Sequence, residues 1–175
     1  MIEYAGFVVC PSCGSKKIEV HEKNGMICKA CGYVYFHNTA SAVGAVIEMG
    51  RGVLLTVRAN EPGIGLYDLP GGFVDYRESA EEALLREIRE ELHIDVTITE
   101  YLGSFSNRYE YKNVVYFTCD AFFVCRPVTE ETVVKPNGEI RSWDVFPLEK
   151  IPFHRLAFDS NVKVLERYCA LHALR

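Results

Sequence analysis

Apolar residues recur with two different periods along this chain, and each period predicts its own kind of element. The runs Ala42–Met49 (AVGAVIEM) and Val53–Val57 (VLLTV) are apolar and β-rich, and Gly50 and Gly52 between them predict a hairpin. The glycine- and proline-rich ANEPGIGLYDLPGGF that follows reads as a loop. Val96–Phe105 and Val114–Cys125 read as strands with Tyr109–Asn113 between them, and the polar loop Pro127–Gly138 leads to a short strand around Ile140–Phe146. Helical spacing takes over in two places. Leu84, Leu85, Ile88 and Leu92 form one apolar stripe, and Val162, Leu165, Cys169 and Leu171–Leu174 suit an amphipathic helix over Asp159–Leu174. Strands with one helix in the middle and one at the end predict an α/β architecture, a mixed sheet covered by helices. No internal repeat or low-complexity run interrupts it.

The middle helix carries a second pattern. Ser79 and Glu82 have capping-box spacing, which makes Ser79 the predicted N-cap. At about 100° per residue, Glu87, Glu90 and Glu91 share one side, with Leu84, Leu85, Ile88 and Leu92 opposite. Ala80 and Ala83 share the acidic side and leave room for something to approach. Like charges one turn apart repel by a few tenths of a kcal/mol per pair. Divalent cations such as Mg²⁺ seek such oxygen ligands, and a phosphate chain fills their remaining positions. The competing reading is a solvated acidic face in which Arg86 pairs with Glu82 and Glu90.

Nearer the start, CPSCGSKKIEVHEKNGMICKACG holds two C-x-x-C pairs fourteen residues apart, each followed by a glycine, Gly14 or Gly32. Such a turn brings two thiolates to one ion, and the glycine admits the positive φ that closes the knuckle. Ile18 and Val20 alternate with polar residues before Asn24-Gly25, which predicts a hairpin joining the knuckles. Cys10, Cys13, Cys28 and Cys31 are therefore candidate ligands of a tetrahedral Zn²⁺ in a unit resembling a zinc ribbon, over residues 1–36. A linker near Phe36–Ala40 separates it from a larger domain over 40–175. So small a unit buries little core, and structural metal is its expected use.

Composition narrows the classes. With 175 residues, 49% hydrophobic and 25% charged, the chain can bury a real core. Its net charge of −5 argues against general nucleic-acid binding. Met1–Cys10 lacks the basic start and apolar run of a secretory signal, and no apolar stretch reaches the ~20 residues of a membrane span. The expected location is cytoplasmic. Seven cysteines, an odd number, speak against a disulfide framework. Cys119 and Cys125, six apart in a predicted strand, are expected to face one way as buried small hydrophobes, and Trp143 is expected in the core.

The run Gly72-x5-Glu78-x7-Arg86-Glu87-Ile88-x-Glu90-Glu91-x-His93-Ile94 resembles the Nudix box, G-x5-E-x7-R-E-U-x-E-E-x-G-U with U aliphatic. Every specified position matches except His93, which stands where the family has glycine. That glycine commonly takes the left-handed conformation at a helix end, and a histidine there costs of order 1 kcal/mol. The resemblance implies an α/β/α sandwich with a mixed sheet and the metal-dependent hydrolysis of a nucleoside diphosphate linked to another moiety.

Carried over position by position, the resemblance makes Glu87, Glu90 and Glu91 ligands of Mg²⁺ or Mn²⁺, with the Gly71 carbonyl as a further ligand beside Gly72. It has Arg86 orient a helix carboxylate, and Glu78 support the site through a water or second metal. Glu139, from the loop before the late strand, is the candidate general base, with Glu130 and Glu131 as rivals. Phe105, Tyr109, Tyr111 and Tyr116 are candidates for stacking on a base, simple sheet packing being the alternative. A zinc ribbon before a Nudix domain is similar to bacterial NADH pyrophosphatases, but SFSNRYEYKN at Ser104–Asn113 replaces their S-Q-P-W-P-F-P-x-S array. Shorter ribbon-bearing Nudix proteins acting on ADP-ribose, FAD or related dinucleotides look closer, and FPLEKIPFHRLAFDS resembles theirs. Two alternatives stay open: a nucleotide-sensing module with a partner-binding ribbon, and an RNA cap-removing hydrolase. A homodimer is expected.

Overall fold

The structure, a computed structural model, describes residues 8–21, 25–112, 114–129 and 132–172. Asn24, Glu130, Glu131, Leu174 and most of the segment before Cys10 lie outside these, as do the side chains of Tyr111 and Val114. Two sheets form. In the first, β1 (Ile18–His21), β2 (Gly25–Cys28) and β3 (Val34–Phe36) run antiparallel in that order. The hairpin predicted between the knuckles is present, with His21 opposite Gly25. The third strand occupies residues whose last member had been assigned to the linker; its Tyr35 pairs with Met26 across a ladder that sequence proximity does not reveal.

The second sheet is built on β4 (Ala40–Met49) and β5 (Gly52–Arg58), the predicted hairpin, with Met49 opposite Gly52. The glycine-rich segment is not all loop. It contains β6 (Tyr67–Asp68), paired with β5, and β7 (Gly71–Phe73), paired with β4, because extended chain passing a sheet edge satisfies its backbone groups there. Helix α1 (Ala80–Leu92) leads to β8 (Val96–Tyr111) and β9 (Val114–Pro127), then β10 (Ile140–Phe146) and α2 (Asp159–His172). β8 therefore runs on through Tyr109, which had been assigned to the connection. The strand order is β10-β5-β4-β9-β8, with β4 and β9 parallel and the other pairs antiparallel.

Alternation along the strands fills both faces of this sheet. Val43, Ala45, Ile47, Phe123 and Cys125 pack beneath Ala83, Leu84, Ile88 and Leu92 of α1. Val46, Val53, Leu55, Phe122 and Val124 pack against Val164, Leu165 and Tyr168 of α2. Three expectations shift. Ala83 is fully buried in the α1 core and leaves no open space, since the helix lies close on β4 and small residues allow that approach. The buried stripe of α2 centres on Val164, Leu165 and Tyr168, while Leu171 is half exposed. Cys119 is exposed although Cys125 is buried, because its end of β9 runs past the cover of α1. Trp143 is half-buried against the α1 core.

The ends of α1 follow from their residues. Ser79 Oγ accepts from the Glu82 N–H at 3.2 Å, and Glu82 Oε2 accepts from the Ser79 N–H at 2.8 Å, the reciprocal capping pair. His93 takes the left-handed conformation, φ 55° and ψ 39°, and its N–H donates to the Arg89 carbonyl. Its Nδ1 lies 2.8 Å from the Lys135 carbonyl oxygen, a tie that offsets part of the strain.

Candidate functional site

The sheet forks where the site lies. Along one edge of β4, residues 42–44 pair with β7 and residues 47–49 pair with β5. The gap opens a cleft of two adjoining lobes, about 280 Å³ and 620 Å³, which share Arg58, Asp68, Leu69, Glu91, Tyr109 and Glu139. Main chain approaches main chain closely here. A Cβ on Gly71 would lie 2.1 Å from the Val43 carbonyl oxygen, and one on Gly72 would lie 2.4 Å from Glu87 Oε1. Backbone excludes a side chain at Gly71, while at Gly72 a side chain would have to displace the Glu87 carboxylate that occupies the space.

Acids crowd the cleft. Glu87 and Glu91, one turn apart on α1, line the smaller lobe with Asp68 and Glu139. Glu91 Oε2 accepts from the Gly71 N–H at 3.0 Å. Burial pushes the Glu91 pKa up to about 8; the Gly71 hydrogen bond opposes this, and the charges of Asp68, Glu87 and Glu139 add to it. Burial likewise raises Glu87, with Arg86 acting against it, and raises Asp68, with Arg58 and Asn161 acting against it. Arg58 is the cation lining both lobes at the acids, ion-paired to Asp68, whose other oxygen accepts from Asn161 Nδ2. Concentrated, partly desolvated negative charge of this kind is suited to a hard divalent cation with oxygen ligands.

Arg86 organises the helix acids. It grips Glu78 with both ends of its fork, Nε to Oε1 at 2.7 Å and a terminal nitrogen to Oε2 at 2.9 Å. It also reaches Glu87 at 2.9 Å, Glu90 at 3.3 Å and the Phe73 carbonyl at 3.2 Å. The Arg86 hydrogen bonds hold Glu78 below the usual carboxylate range. The three helix glutamates thus part company. Glu87 and Glu91 turn into the cleft, whereas Glu90 is mostly exposed, paired with Arg86, and outside the lining. The pairing of Arg86 with Glu90 is the one the solvated-face reading anticipated, but Glu82 is taken by the cap.

The aromatic candidates also separate. Tyr109 lines both lobes, edge-on to Phe73 at 5.6 Å and tilted against Phe158 at 5.7 Å between ring centres. Phe105 packs on Phe122 and the α2 core instead of lining the cleft. Tyr116 packs near Phe73 and Tyr109. The side chain of Tyr111 and the rival acids Glu130 and Glu131 lie outside the described residues.

Reading the sequence missed the opposite wall. Thr118, Asp120, Ser160 and Asn161 are all buried and all line the smaller lobe. Among the described residues, Thr118 Oγ1, Asp120 Oδ1 and Ser160 Oγ find no hydrogen-bond partner. Each such group costs about 1–3 kcal/mol to bury. The available signal was weak: polar residues at alternate positions of a strand that is otherwise apolar.

In the first sheet the four cysteine sulfurs all lie within 4.8 Å of one another. Cys10 and Cys31 approach to 3.8 Å, and Cys13 and Cys28 to 3.7 Å. Gly14 and Gly32 have φ of 72° and 76°, and each N–H donates to the first cysteine carbonyl of its knuckle at 2.8 Å. The N–H groups of Cys31 and Ala30 donate to the Cys28 sulfur and lower its pKa to about 6 against the effect of burial. Against the Ser15 N–H, the neighbouring sulfurs push Cys13 up to about 12, so Cys28 is the first of this pair to form a thiolate. The cluster could bind zinc.

Fold and box together define a class. The NUDIX domain family matches residues 38–168, and the chain belongs to that family. An NAD-capped RNA hydrolase, NudC, of Pseudomonas entomophila is 36% identical over 95 residues, which cover 54% of this chain and 34% of that protein. An ADP-ribose pyrophosphatase of Methanocaldococcus jannaschii is 33% identical over 137 residues, 77% of this chain and 75% of that protein. The crystal structure of a NUDIX hydrolase from Nitrosomonas europaea superposes with a TM-score of 0.76 at 24% identity, covering 95% of this chain and 92% of that one. The match therefore spans about a third of NudC but three quarters of the pyrophosphatase. No helix among the described residues is long and apolar enough to cross a membrane.

Proposed function

We propose that this protein hydrolyses the pyrophosphate bond of a nucleoside diphosphate linked to another moiety, ADP-ribose, FAD or a related dinucleotide, releasing a nucleoside monophosphate. The observation that carries this reading is the gathering of Glu87, Glu91, Asp68 and Glu139 around one cleft, with Gly71 held against Glu91. Mg²⁺ or Mn²⁺, held by Glu87, Glu91 and Glu90 with the Gly71 carbonyl, would polarise the phosphoanhydride and lower the pKa of the attacking water.

The chain's own residues supply the rest. Arg86 fixes Glu87 from behind and is a positioning residue, as is Glu78, which it grips. Glu139 is exposed at the rim of both lobes and is the group we assign to take the proton as water attacks phosphorus. The bridging P–O bond then breaks and the second phosphate departs. Tyr109 and Phe158 offer faces to a ring. The cysteine quartet holds Zn²⁺ and organises residues 1–36 as a unit beside the catalytic domain over 40–175.

A second reading has its own support, because one relative is named as acting on NAD-capped RNA. The net charge of −5 gives no ground to exclude nucleic acid when the charge that matters is local. A product-resolved screen of ADP-ribose, FAD, NADH, diadenosine polyphosphates and NAD-capped RNA, with each metal in turn, tests both. AMP from ADP-ribose supports the proposal. Release of the cap with no cleavage of free dinucleotides favours the RNA reading, and tight ADP-ribose binding without products means a sensor.

A further inference from the structure

Among the described residues, no hydrogen bond or ion pair fixes the carboxylate of Glu139, so whatever aims it acts through its main chain. That main chain is held on both sides. The Asn137 side-chain oxygen accepts from the Glu139 N–H at 2.8 Å, and the Glu139 carbonyl accepts from the Ala59 N–H at 2.9 Å, just past the end of β5. The residues before it hang from the end of α1. The Asn137 N–H donates to the Glu91 carbonyl at 2.8 Å, and the Lys135 N–H donates to the Leu92 carbonyl at 2.9 Å. A helix leaves its last carbonyls without partners of its own, and here a segment that follows β9 satisfies two of them. Val134, buried against α1, anchors the same stretch. His93 adds a side-chain tie. Its Nδ1 lies 2.8 Å from the Lys135 carbonyl oxygen, and since a carbonyl oxygen only accepts, the hydrogen is on Nδ1. Lys135 is thus bound at its N–H by Leu92 and at its C=O by His93. The glycine of the family pattern would supply the backbone conformation but not this tie.

We infer that His93 and Asn137 are positioning residues, which hold residues 133–139 as a bracket on the end of α1 and thereby fix Glu139 relative to Glu91. This rests on the pyrophosphatase reading above and on its assignment of Glu139 as the base. A base must stand within hydrogen-bond reach of the water it deprotonates, and a misplacement of about 1 Å can cost on the order of a hundredfold in rate. Among the described residues, the stretch between β9 and β10 contains no helix or strand, so these ties are what set its course. Glu139 and Glu91 line both lobes together. The bond from the Asn137 N–H to the Glu91 carbonyl puts the two acids on one frame, and a displacement of either carries the other with it. The His93 tie can be removed without touching the backbone bonds, which makes its contribution separable.

Steady-state hydrolysis of ADP-ribose with Mg²⁺ by the full-length protein, paired with amide hydrogen exchange, tests the assignment. His93→Gly keeps a residue at ease in the left-handed conformation and removes only the ring. It should lower kcat about three- to tenfold with KM and Mg²⁺ affinity unchanged. Exchange at the Lys135 amide should quicken about fivefold, the worth of one hydrogen bond. His93→Asn should recover most of both, because asparagine tolerates that conformation and its amide N–H can donate to the same carbonyl. Asn137→Ala, which frees the Glu139 N–H, should lower kcat by a similar factor. Glu139→Gln should lose at least about a hundredfold, and in that background His93→Gly should cost nothing more, since the ring acts through the base. A wild-type kcat in His93→Gly overturns the inference, as does His93→Asn performing no better than His93→Gly. So does an undiminished His93→Gly loss in the Glu139→Gln background, which would place the effect at Glu91 instead. A wild-type rate in Glu139→Gln overturns the bracket's purpose and leaves the pyrophosphatase reading standing. A wild type that cleaves no dinucleotide, yet shows slow exchange that His93→Gly quickens, refutes the activity alone.

Discussion

The cysteine cluster and the acid cluster both gather side chains of the kinds that can hold a metal, and they are built in opposite ways. The four sulfurs already converge within 4.8 Å, each knuckle closed by a glycine and by N–H groups of its own turn. The acids belong to α1, β6 and the loop before β10, and among the described residues no three of their oxygens converge so closely. Local turns can complete a closed, four-ligand site; a site that must admit substrate keeps ligands apart and leaves positions open. The acids are held in check by other means: Arg86 behind Glu78, Glu87 and Glu90, the Gly71 N–H on Glu91, and Arg58 on Asp68.

Metal removal should expose this contrast most strongly. Structural zinc contributes on the order of 10 kcal/mol to small units of this type. Chelation, or Cys28→Ser, should therefore unfold β1–β3, read as loss of amide dispersion and rapid proteolysis there, with α1 and the second sheet intact. Loss of all secondary structure would show the two regions folding as one. Glu91→Gln comes next. It should lower kcat by about a thousandfold, roughly 4 kcal/mol, and leave the melting temperature close to that of the parent protein, since burial already disfavours ionisation of the Glu91 carboxyl. A near-normal rate would remove Glu91 from the machinery. The exposed Glu90 gives a sharper comparison in the same assay, where Glu90→Gln should also cost orders of magnitude if Glu90 swings from Arg86 to the metal.

Gly72→Ala is expected to act by displacing a carboxylate and not by removing one. Its Cβ would overlap the Glu87 carboxylate, so Mg²⁺ affinity measured by titration should fall about 10- to 100-fold. The smallest effect is expected at His93→Gly. Relief of left-handed strain, about 1 kcal/mol, is set against loss of the tie to the Lys135 carbonyl. Denaturant melts should shift by less than about 1 kcal/mol, and a larger destabilisation would give the histidine a structural task of its own.

The sequence was most readable where the determinants are local. Ser79 and Glu82 announced the cap, Gly14 and Gly32 the knuckles, and the β4–β5 hairpin came from its own glycines. Glu87, Glu91 and Glu139 were legible as site candidates, and the structure brings them to one cleft. What sequence alone did not show depends on contacts between distant segments. Asp68 lay in a stretch taken for loop, and nothing nearby reveals Arg58 and Asn161 as its partners. Helical spacing put Glu87, Glu90 and Glu91 on one side, but it cannot say that Arg86 draws the second away while a backbone N–H holds the third. Cys119 shares a face with Cys125, yet burial depends on where the helix above stops.

The division of one edge of β4 between β7 and β5 has a bearing on how this scaffold can vary. Because the opening is framed by paired main chain, its width does not depend on which side chains project into it. Residues that line it, such as Tyr109, can thus be exchanged while the frame keeps its shape. Recognition can be retuned in such a mould without recasting it.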